Sequence, residues 1–405
     1  MTGRQPIYVG IDIGKSAHHA CAIDERGSVV LSRRVTNDQH DLESVLAEVK
    51  NVDAEAELVW AVDLTSELAA MALATLLGSG QTVYYVPGRL VNSMSHAFRG
   101  EGKTDARDAK VIAETLRLRD DLTVVTAPDE LVTALSVLTS YRQELNGDWV
   151  AGVNRLRSLL MSIFPGLERS LDLTSRTALT LVAEMCTPAE LRRAGVAGIE
   201  KYLREHRCWA AGITRTAQVA GRVAGEQTLV VPGEADIAAV IKRSAQRLLD
   251  LDREIKDTDK TITARFRSHQ WAHSIESIPG IGPTLGAEFI VATGGNMEAF
   301  GSSGRLASYA GLVPVPQDSG RINGNLRRPR RYNRRLRRVF YLAAFASLPA
   351  KGDSWEFYRR KRSEGRKHNQ AVICLARRLV DVLWALIRDD REFTPRPPTS
   401  LRSAA

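Results

Sequence analysis

The first 36 residues constrain the fold most strongly, because three apolar segments alternate there with two short turns. The segments read IYVGIDIG, HHACAIDE and VVLSRRVT, beginning at Ile7, His18 and Val29. The turns are the pairs Lys15-Ser16 and Arg26-Gly27. Short apolar runs separated by polar and glycine-containing turns are typical of β-hairpins. We therefore predict that this segment forms an antiparallel meander.

The elements after the meander alternate between helix and strand. A helical pattern near Asp41 to Val49 precedes the strand ELVWAVDL. The helix SELAAMALATLLGSG then ends at a glycine C-cap, and the strand TVYYVP leads to a further helix. A meander followed by alternating helices and strands is the element order of a ribonuclease H-like fold. We predict this α/β fold for residues 1–125.

Beyond residue 125 the sequence favours helices. We predict a helical and coiled-coil region over 126–270, a mainly α-helical domain over 271–394, and a disordered tail rich in proline and serine over 395–405. The third region opens with SIPGIGPTLGAEFIVATG. This motif indicates either a helix-hairpin-helix, whose glycines let backbone amides approach a phosphate, or a plain short turn between packed helices.

A seven-residue repeat marks the last helix of the middle region. Ile241, Leu248, Ile255 and Ile262 form the repeat, and Leu251 is the only apolar residue at the companion position. Such a narrow apolar seam suits pairing with another helix of the chain or with a second protomer. A single helix lying on its own domain is the alternative.

The charge balance points to a polyanionic partner. The chain has 405 residues, a net charge of +9 and 44% hydrophobic residues, which suggests two or three globular domains. Nine arginines and no acid lie between Arg321 and Arg338. The four cysteines have no metal-ligand or disulfide spacing. Since no apolar run is long enough for a membrane span, we expect a soluble protein of the cytoplasm.

Two aspartates interrupt apolar strands, and two more lie on the apolar side of a helix. Asp12 lies within IYVGIDIG, and Asp63 ends LVWAVD, although aspartate is depleted in strands. In GKTDARDAK, helical periodicity places Asp105 and Asp108 on the same side as Ala109. An unpaired buried carboxylate is costly, so such groups are normally paired, protonated or bound to a metal.

The ribonuclease H-like fold offers these acids a common explanation. Its first strand, a central strand and a later helix converge at one edge, so the carboxylates would meet there. Like charges raise each other's pKa unless divalent cations neutralise them, and oxygen ligands suit Mg²⁺ or Mn²⁺. A metal pair about 4 Å apart is a known arrangement for phosphodiester chemistry. We therefore predict a metal site formed by Asp12, Asp63, Asp105 and Asp108.

Each acid also has a plainer interpretation. Asp105 follows Thr104, a potential N-cap, and a negative charge in the first turn favours the helix dipole. Asp12 could simply cap the turn at Gly14-Lys15. GIDIG also opens actin-like and sugar-kinase ATPases, but that fold requires a second phosphate-binding hairpin, and the sequence shows none.

In combination, the motifs resemble a known family. GIDIGK, an acid after the central strand, GKTDARDAK, SIPGIGP, LASYAGLVP, a Ser-Gly pair and an arginine-rich run follow the layout of the DEDD transposases of bacterial insertion sequences. These are bridge-RNA-guided recombinases with a RuvC-like N-terminal domain and a C-terminal transposase domain. The resemblance covers nearly the whole chain. It implies that the four aspartates bind metal, although the family's second acid is usually glutamate, which leaves Glu67 open as a ligand in place of Asp63.

The resemblance also implies a catalytic serine. The family uses a serine of the C-terminal domain as the nucleophile that joins covalently to DNA, and the matching position in GLVPVPQDSGRINGN is Ser319. By itself, Asp-Ser-Gly in a loop is most often a turn, and serine is a weak nucleophile without a base or metal. Its loop leads directly into the arginine-rich run, which could hold a scissile phosphate.

Two basic clusters are the candidate nucleic-acid contacts. The first cluster is the arginine-rich run containing Tyr332, and its continuation into the apolar VFYLAAFA favours an ordered helix over a solvated arm. The second cluster follows Trp355, Phe357 and Tyr358, which would either stack on bases or belong to the core. The predicted contacts are Arg321, Arg327, Arg328, Arg330, Arg331, Arg334, Arg335, Arg359, Arg360, Lys361 and Arg362.

The function implied is an RNA-guided DNA recombinase that excises and inserts its own insertion sequence. Its partners would be donor and target DNA, a structured guide RNA, and further copies of itself, as a dimer assembling to a tetramer on the bacterial nucleoid. The residues alone also allow a metal-dependent nuclease or junction resolvase that uses water, or a non-catalytic nucleic-acid-binding protein.

Overall fold

A computed structural model describes residues 5–64, 67–96, 104–126, 129–316 and 324–395. The chain divides into two compact units, Met1–Pro128 and Asp129–Ala405. Across the described ranges, the helices are too short or too polar to cross a membrane.

The first unit is built on a six-stranded mixed sheet with the order β3-β2-β1-β4-β5-β6. Strand β1 pairs antiparallel with β2 and parallel with β4. The strands are β1 (Pro6–Asp12), β2 (Ala17–Ile23), β3 (Val29–Thr36), β4 (Glu57–Val62), β5 (Thr82–Tyr85) and β6 (Thr123–Val124). The helices are α1 (Gln39–Val52), α2 (Ala70–Gly78), α3 (Gly88–Ser95) and α4 (Asp105–Leu118). The predicted meander and the ribonuclease H-like α/β fold of this unit are confirmed.

The two faces of the sheet pack against different helices. Ile7, Val9 and Ile11 alternate along β1 and join the core that includes α1 and α2. Gly10 points to the other face, where a Cβ would lie only 2.2 Å from the carbonyl oxygen of Ala109 in α4. A side chain at this position would push the helix away, so the glycine permits α4 to lie directly on β1.

The second unit is mainly helical and contains two apolar clusters. Its long helices are α5 (Glu130–Ile163), α8 (Pro188–Glu205), α9 (Ala210–Glu226), α10 (Glu234–Arg267) and α16 (His368–Arg388). The shorter ones are α6 (Pro165–Ser170), α7 (Arg176–Glu184), α11 (Ala272–Glu276), α12 (Pro283–Thr293), α13 (Ser303–Tyr309), α14 (Arg334–Ala346) and α15 (Asp353–Ser363). A two-stranded hairpin, β7 (Val315–Pro316) and β8 (Leu326–Arg327), was not expected from the sequence.

Helices α5 and α10 pack antiparallel within the chain. Arg142 Nε lies 2.5 Å from Asp259 Oδ1, whereas further along α5 the Cα of Gly152 faces Leu248. The seam of the seven-residue repeat is therefore covered, with Ile241 and Ile262 fully buried. The sequence allowed several partners for this seam. In the described structure, the seam packs against another helix of the same chain.

The SIPGIG motif forms the turn between α11 and α12. Gly280 has φ +91°, and a Cβ there would lie 2.3 Å from the carbonyl oxygen of Ala343 in α14. This glycine is explained by the packing of the turn against α14, as expected for a short turn between packed helices.

Candidate active site and nucleic-acid interface

Asp12 and Asp63 lie side by side at one edge of the first unit's sheet. Asp12 is the last residue of β1, and Asp63 directly follows β4. The parallel register pairs Ile11 with Val62, so the two aspartates occupy the next position on neighbouring strands. Asp63 Oδ1 accepts a hydrogen bond from the backbone amide of Ile13, at 3.1 Å. Both carboxylates are half-buried.

The first turn of α4 brings the other two acids to the same edge. Thr104 is the N-cap, its side chain accepting from the amide of Arg107, and Asp105 and Asp108 both fall in the first turn. The predicted cap is thus present, and both charges favour the helix dipole. Ala109 and Ala113 pack beside Cys21, which is opposite Gly10 in the sheet.

Asp105 departs from the sequence expectation, because it is exposed and Asp108 is only half-buried. Helix α4 begins at the edge of the sheet, so its first turn is covered less than the following turn, which packs over Gly10. Periodicity identified the correct side of the helix but not how far the sheet extends beneath it.

The pKa shifts of Asp63 and His19 show which acids lie close to them. Burial raises the pKa of Asp63, and the negative charge of Asp108 raises it further, against the lowering effect of the Ile13 amide. Burial lowers the pKa of His19, and the charge of Asp105 opposes that shift. His19 is opposite Asp12 in the sheet. Asp63 therefore lies near Asp108, and His19 lies opposite Asp12 and near Asp105.

The arrangement has the donor chemistry of a hard-cation site but not a closed set of ligands. Oxygen atoms on one sheet edge suit Mg²⁺ or Mn²⁺. Among the described residues, however, no group of three or more Asp, Glu, His or Cys side chains converges closely enough to hold a metal. Glu67 begins a 3₁₀ turn, and its side chain is outside the described part of the chain.

Sequence reasoning missed a histidine near these acids. His18 is 2% exposed, and neither ring nitrogen meets hydrogen-bond geometry within the described structure. Burial lowers its pKa, and the nearby Asn37 side chain and Gly14 carbonyl oppose that shift, followed by the charge of Asp63. The consecutive histidines in a strand, HHACAI, were the available signal.

The basic run divides into exposed arginines and partly buried arginines. Ser319 and Arg321 are outside the described residues, in the segment that joins β7 to β8. The exposed members are Arg327, Arg328, Arg330, Arg331 and Arg334. They lie along β8, the segment after it and the start of α14, where phosphate oxygens could reach them.

Three further arginines of the run are partly buried and bind groups of the protein itself. Arg335 donates to Ser140 Oγ at 3.0 Å, and Arg337 donates to the carbonyl oxygen of Gly311 at 2.6 Å. Arg338 lies 2.7 Å from Glu288, whose side chain is completely buried. These arginines hold α14 in place, so Arg335 is less available to nucleic acid than the sequence suggested.

The entrance to α14 is ordered, as the interleaved Tyr332 predicted. Arg328 donates to the Tyr332 hydroxyl at 3.1 Å, and this bond is the main cause of a lowered pKa at Tyr332. The Arg337 guanidinium lies 4.9 Å from the ring centre of the same tyrosine. Asn333 caps α14 by accepting from the amide of Leu336.

Comparison with known proteins assigns the chain to a family. Residues 9–165 match the DEDD transposases of the IS110 type, described as transposases, and residues 272–359 match the transposase IS116/IS110/IS902 family. A 44.8 kDa protein of insertion element IS116 from Streptomyces clavuligerus is 46% identical over 98% of this chain and 99% of its own length. The chain belongs to the IS116/IS110/IS902 transposase family.

Other relatives agree with this assignment. A 42 kDa protein of insertion element IS900 from Mycobacterium paratuberculosis is 44% identical over 98% of the chain and 99% of its own length. The pilin gene-inverting protein of Moraxella bovis is 32% identical over 31% of the chain and 39% of its own length. Transposases cleave and rejoin DNA, so the chain is an enzyme that acts on DNA.

The second basic cluster of this transposase lies on α15. Arg359, Arg360 and Arg362 are exposed, whereas Lys361 pairs with Glu364 at 2.7 Å. The nearby aromatic residues Trp355, Phe357 and Tyr358 are partly buried and pack against the core of the second unit. Of the two interpretations that the sequence allowed, packing against the core is the one that their burial supports.

Two of the four cysteines of this transposase, Cys21 and Cys186, are buried thiols. Burial raises the pKa of Cys21 to about 11 and that of Cys186 to about 12. A thiol that stays protonated at neutral pH is a poor nucleophile and a poor metal ligand.

Proposed function

We propose that this transposase excises and inserts its own insertion sequence by RNA-guided recombination, with Ser319 as the nucleophile and four aspartates as the holders of divalent cations. The observation that carries the proposal is the placement of Asp12, Asp63, Asp105 and Asp108 at one edge of a ribonuclease H-like sheet. We call this group of four residues the acid edge.

The acid edge would hold Mg²⁺ or Mn²⁺ through carboxylate oxygens. When bound, a divalent cation supplies charge stabilisation at the scissile phosphate and favours ionisation of a nearby hydroxyl. Burial and the charge of Asp108 raise the pKa of the half-buried Asp63. A bound cation would stabilise the ionised form of this carboxylate. The amide of Ile13 orients its carboxylate.

Ser319 would act through its hydroxyl. Its Oγ would form a bond to phosphorus while the bond from phosphorus to the leaving oxygen of the DNA strand breaks. The serine proton would pass to a base or to solvent, and the leaving oxygen would take up a proton to become a strand hydroxyl. The phosphoserine link conserves the phosphodiester, so a second strand hydroxyl can displace the serine and restore it. Water attack, in contrast, would leave free ends.

The exposed arginines would hold the DNA beside this serine. Arg327, Arg328, Arg330, Arg331 and Arg334 follow the Ser319 segment directly in the chain and are exposed. Their guanidinium groups suit phosphate oxygens and would stabilise the charge that develops there. The exposed Arg359, Arg360 and Arg362 would extend the contact to the backbone of DNA or guide RNA.

A trapping experiment tests the nucleophile. The wild-type protein, incubated with guide RNA and labelled DNA, should carry label through denaturing electrophoresis, whereas Ser319→Ala should not. Ser363→Ala removes an exposed serine beside the second basic cluster and should trap as well as the wild type. An adduct with Ser319→Ala would identify another nucleophile, and efficient cleavage without any adduct would favour water attack.

We also propose that the enzyme works on the nucleoid as a homo-oligomer, a dimer assembling to a tetramer. The acid edge belongs to the first unit and Ser319 to the second, so a site can be completed within one chain or between protomers. A mixture of Asp12→Asn and Ser319→Ala proteins should recover some activity if protomers share the site. Verified mixed oligomers without recovery would place the complete site in one chain.

A further inference from the structure

Helix α9 and the residues that lead into it carry no role in the proposed catalysis, yet they form an unusual surface. Residues 206–225, which lie between Glu205 and Glu226, contain three arginines and no acid. They also include Trp209, whose exposed fraction is 75%. Tryptophan is highly buried on average in folded proteins, so an indole this exposed at a cationic surface is informative.

The position of Trp209 is fixed by the backbone on either side. Arg207 adopts φ +52° and its amide donates to the carbonyl oxygen of Arg204, which closes α8. Trp209 then becomes the N-cap of α9. A Cβ at Gly212 would lie 3.6 Å from the indole and 3.3 Å from Thr177 Oγ1, so this glycine leaves room for both.

The outer side of α9 continues the surface as a line of polar groups. The helix buries Ile213, Ala217, Ala220, Val223 and Ala224 against its own unit. On the exposed side, Arg215, Gln218 and Arg222 follow one another at successive turns. The distance from Arg215 to Arg222 along the helix is about 10 Å.

We propose that Arg207, Trp209, Arg215, Gln218 and Arg222, together the α9 strip, bind an unpaired stretch of RNA. A base would stack on the exposed Trp209, and the following phosphates would lie along the arginines. Arg222 contacts Glu226 at 3.2 Å, but both side chains are about two-thirds exposed, and such a surface pair is weak enough for a phosphate to compete with it.

The exposed ring is the reason to choose an unpaired RNA. In duplex DNA the base faces are stacked and closed to a flat side chain, whereas RNA loops present unstacked bases. The inference rests on the proposed function in one respect, namely that RNA is a partner of this transposase. It adds a specific contact surface in the middle of the chain, outside the acid edge and both basic clusters.

Fluorescence anisotropy with a labelled, unstructured oligoribonucleotide of about 12 nucleotides tests the strip, because that length is within the usual range for single-strand sites. Trp209→Ala should weaken binding of the oligoribonucleotide about tenfold. Trp209→Phe should lose less affinity because an aromatic ring remains for stacking. The double substitution Arg215→Gln and Arg222→Gln should reduce the slope of log affinity against log salt concentration by about 1.4, since each phosphate contact of a single strand contributes about 0.7.

Two matched controls separate the strip from general surface effects. Leu229→Ala removes an exposed apolar side chain, 82% exposed, and Arg253→Ala removes an exposed arginine of α10 that is paired with Asp250. Both should bind the oligoribonucleotide as the wild type does. Unchanged melting temperatures in all variants would show that the fold is intact.

Several results would overturn the proposal. RNA affinity unchanged by Trp209→Ala would exclude stacking, and equal losses for duplex DNA and RNA would indicate a general cationic surface. A loss confined to single-stranded DNA would assign the strip to a displaced DNA strand. A change in oligomeric state with RNA binding unaffected would assign the ring to a protomer contact. Failure of the Ser319 adduct assay would leave these measurements untouched, so the two proposals can fail separately.

Discussion

The acid edge and the arginine run arise from the sequence in opposite ways. The four aspartates are spread from position 12 to position 108, and the sheet topology brings them to one edge. The nine arginines lie within positions 321 to 338, and the structure separates the eight that it describes into five exposed residues and three partly buried residues that contact the protein itself. Residues that are far apart in this sequence can therefore lie together in the structure, and neighbouring residues can differ in exposure and in contacts.

The comparison teaches which kind of evidence identifies each site. A costly residue in an apolar strand, such as Asp12, requires a compensating environment, so it indicates a site even when its partners are far away in sequence. A run of arginines has no such requirement, because each can be solvated, paired or bound to phosphate. Only burial and partners, such as Glu288 beside Arg338, divide the run.

The largest expected effect comes from removing a charge at the acid edge. Asp63→Asn should lower the rate of DNA strand exchange about a thousandfold, about 4 kcal/mol of transition-state stabilisation, because the amide keeps the shape but loses the ligand charge. Asp121→Asn is the control, since that carboxylate is exposed and paired with Arg119. Equal rates for the two variants, measured at saturating Mg²⁺, would remove Asp63 from the site.

The division of the arginine run predicts a difference in stability. Arg338→Ala should lower the free energy of unfolding by about 3 kcal/mol, because it leaves the fully buried Glu288 without its partner. Arg334→Ala removes an exposed side chain and should change stability by less than about 0.5 kcal/mol. Urea unfolding of both variants measures this difference, and similar losses would mean that the pairing of Arg338 with the buried Glu288 does not stabilise the fold.

The exposed arginines should affect binding rather than stability. Replacing Arg327, Arg328, Arg330 and Arg331 with alanine should weaken binding to unrelated DNA sequences by roughly ten- to a hundredfold and reduce the salt slope by up to about four. The control replaces Arg253, Lys256 and Lys260 of α10, exposed cations that are each paired with an acid. A salt slope that does not change in the first variant would place the run away from nucleic acid.

The smallest effect sharpens the assignment of cations to the acid edge. Mg²⁺ at ten times its dissociation constant should stabilise the wild type by about 1.4 kcal/mol through binding to the folded state. Asp63→Asn should lose most of this increment, which thermal unfolding with and without EDTA can measure. The same Mg²⁺-dependent shift in both proteins would mean that the cation binds elsewhere.

The sequence alone predicted the fold of the first unit and singled out the four aspartates that the structure places at one edge of its sheet. The strands of the meander, the cap at Thr104 and the start of α14 depend on local patterns, because hydrogen bonding and periodicity act over a few residues. The seven-residue repeat correctly identified the buried side of α10. It did not specify the partner, because the same apolar seam fits any helix of complementary shape.

Tertiary structure decided the properties that depend on distant residues. The exposure of Asp105 depends on where the sheet ends, and the structural role of Arg338 depends on the buried Glu288, fifty residues earlier. The sequence allowed Gly280 to be a phosphate-binding glycine, whereas its close approach to α14 gives a packing reason for a glycine at this position. Local sequence specifies which groups a segment offers, but burial and partnership are properties of the packed chain, since they depend on the surfaces that long-range contacts bring together.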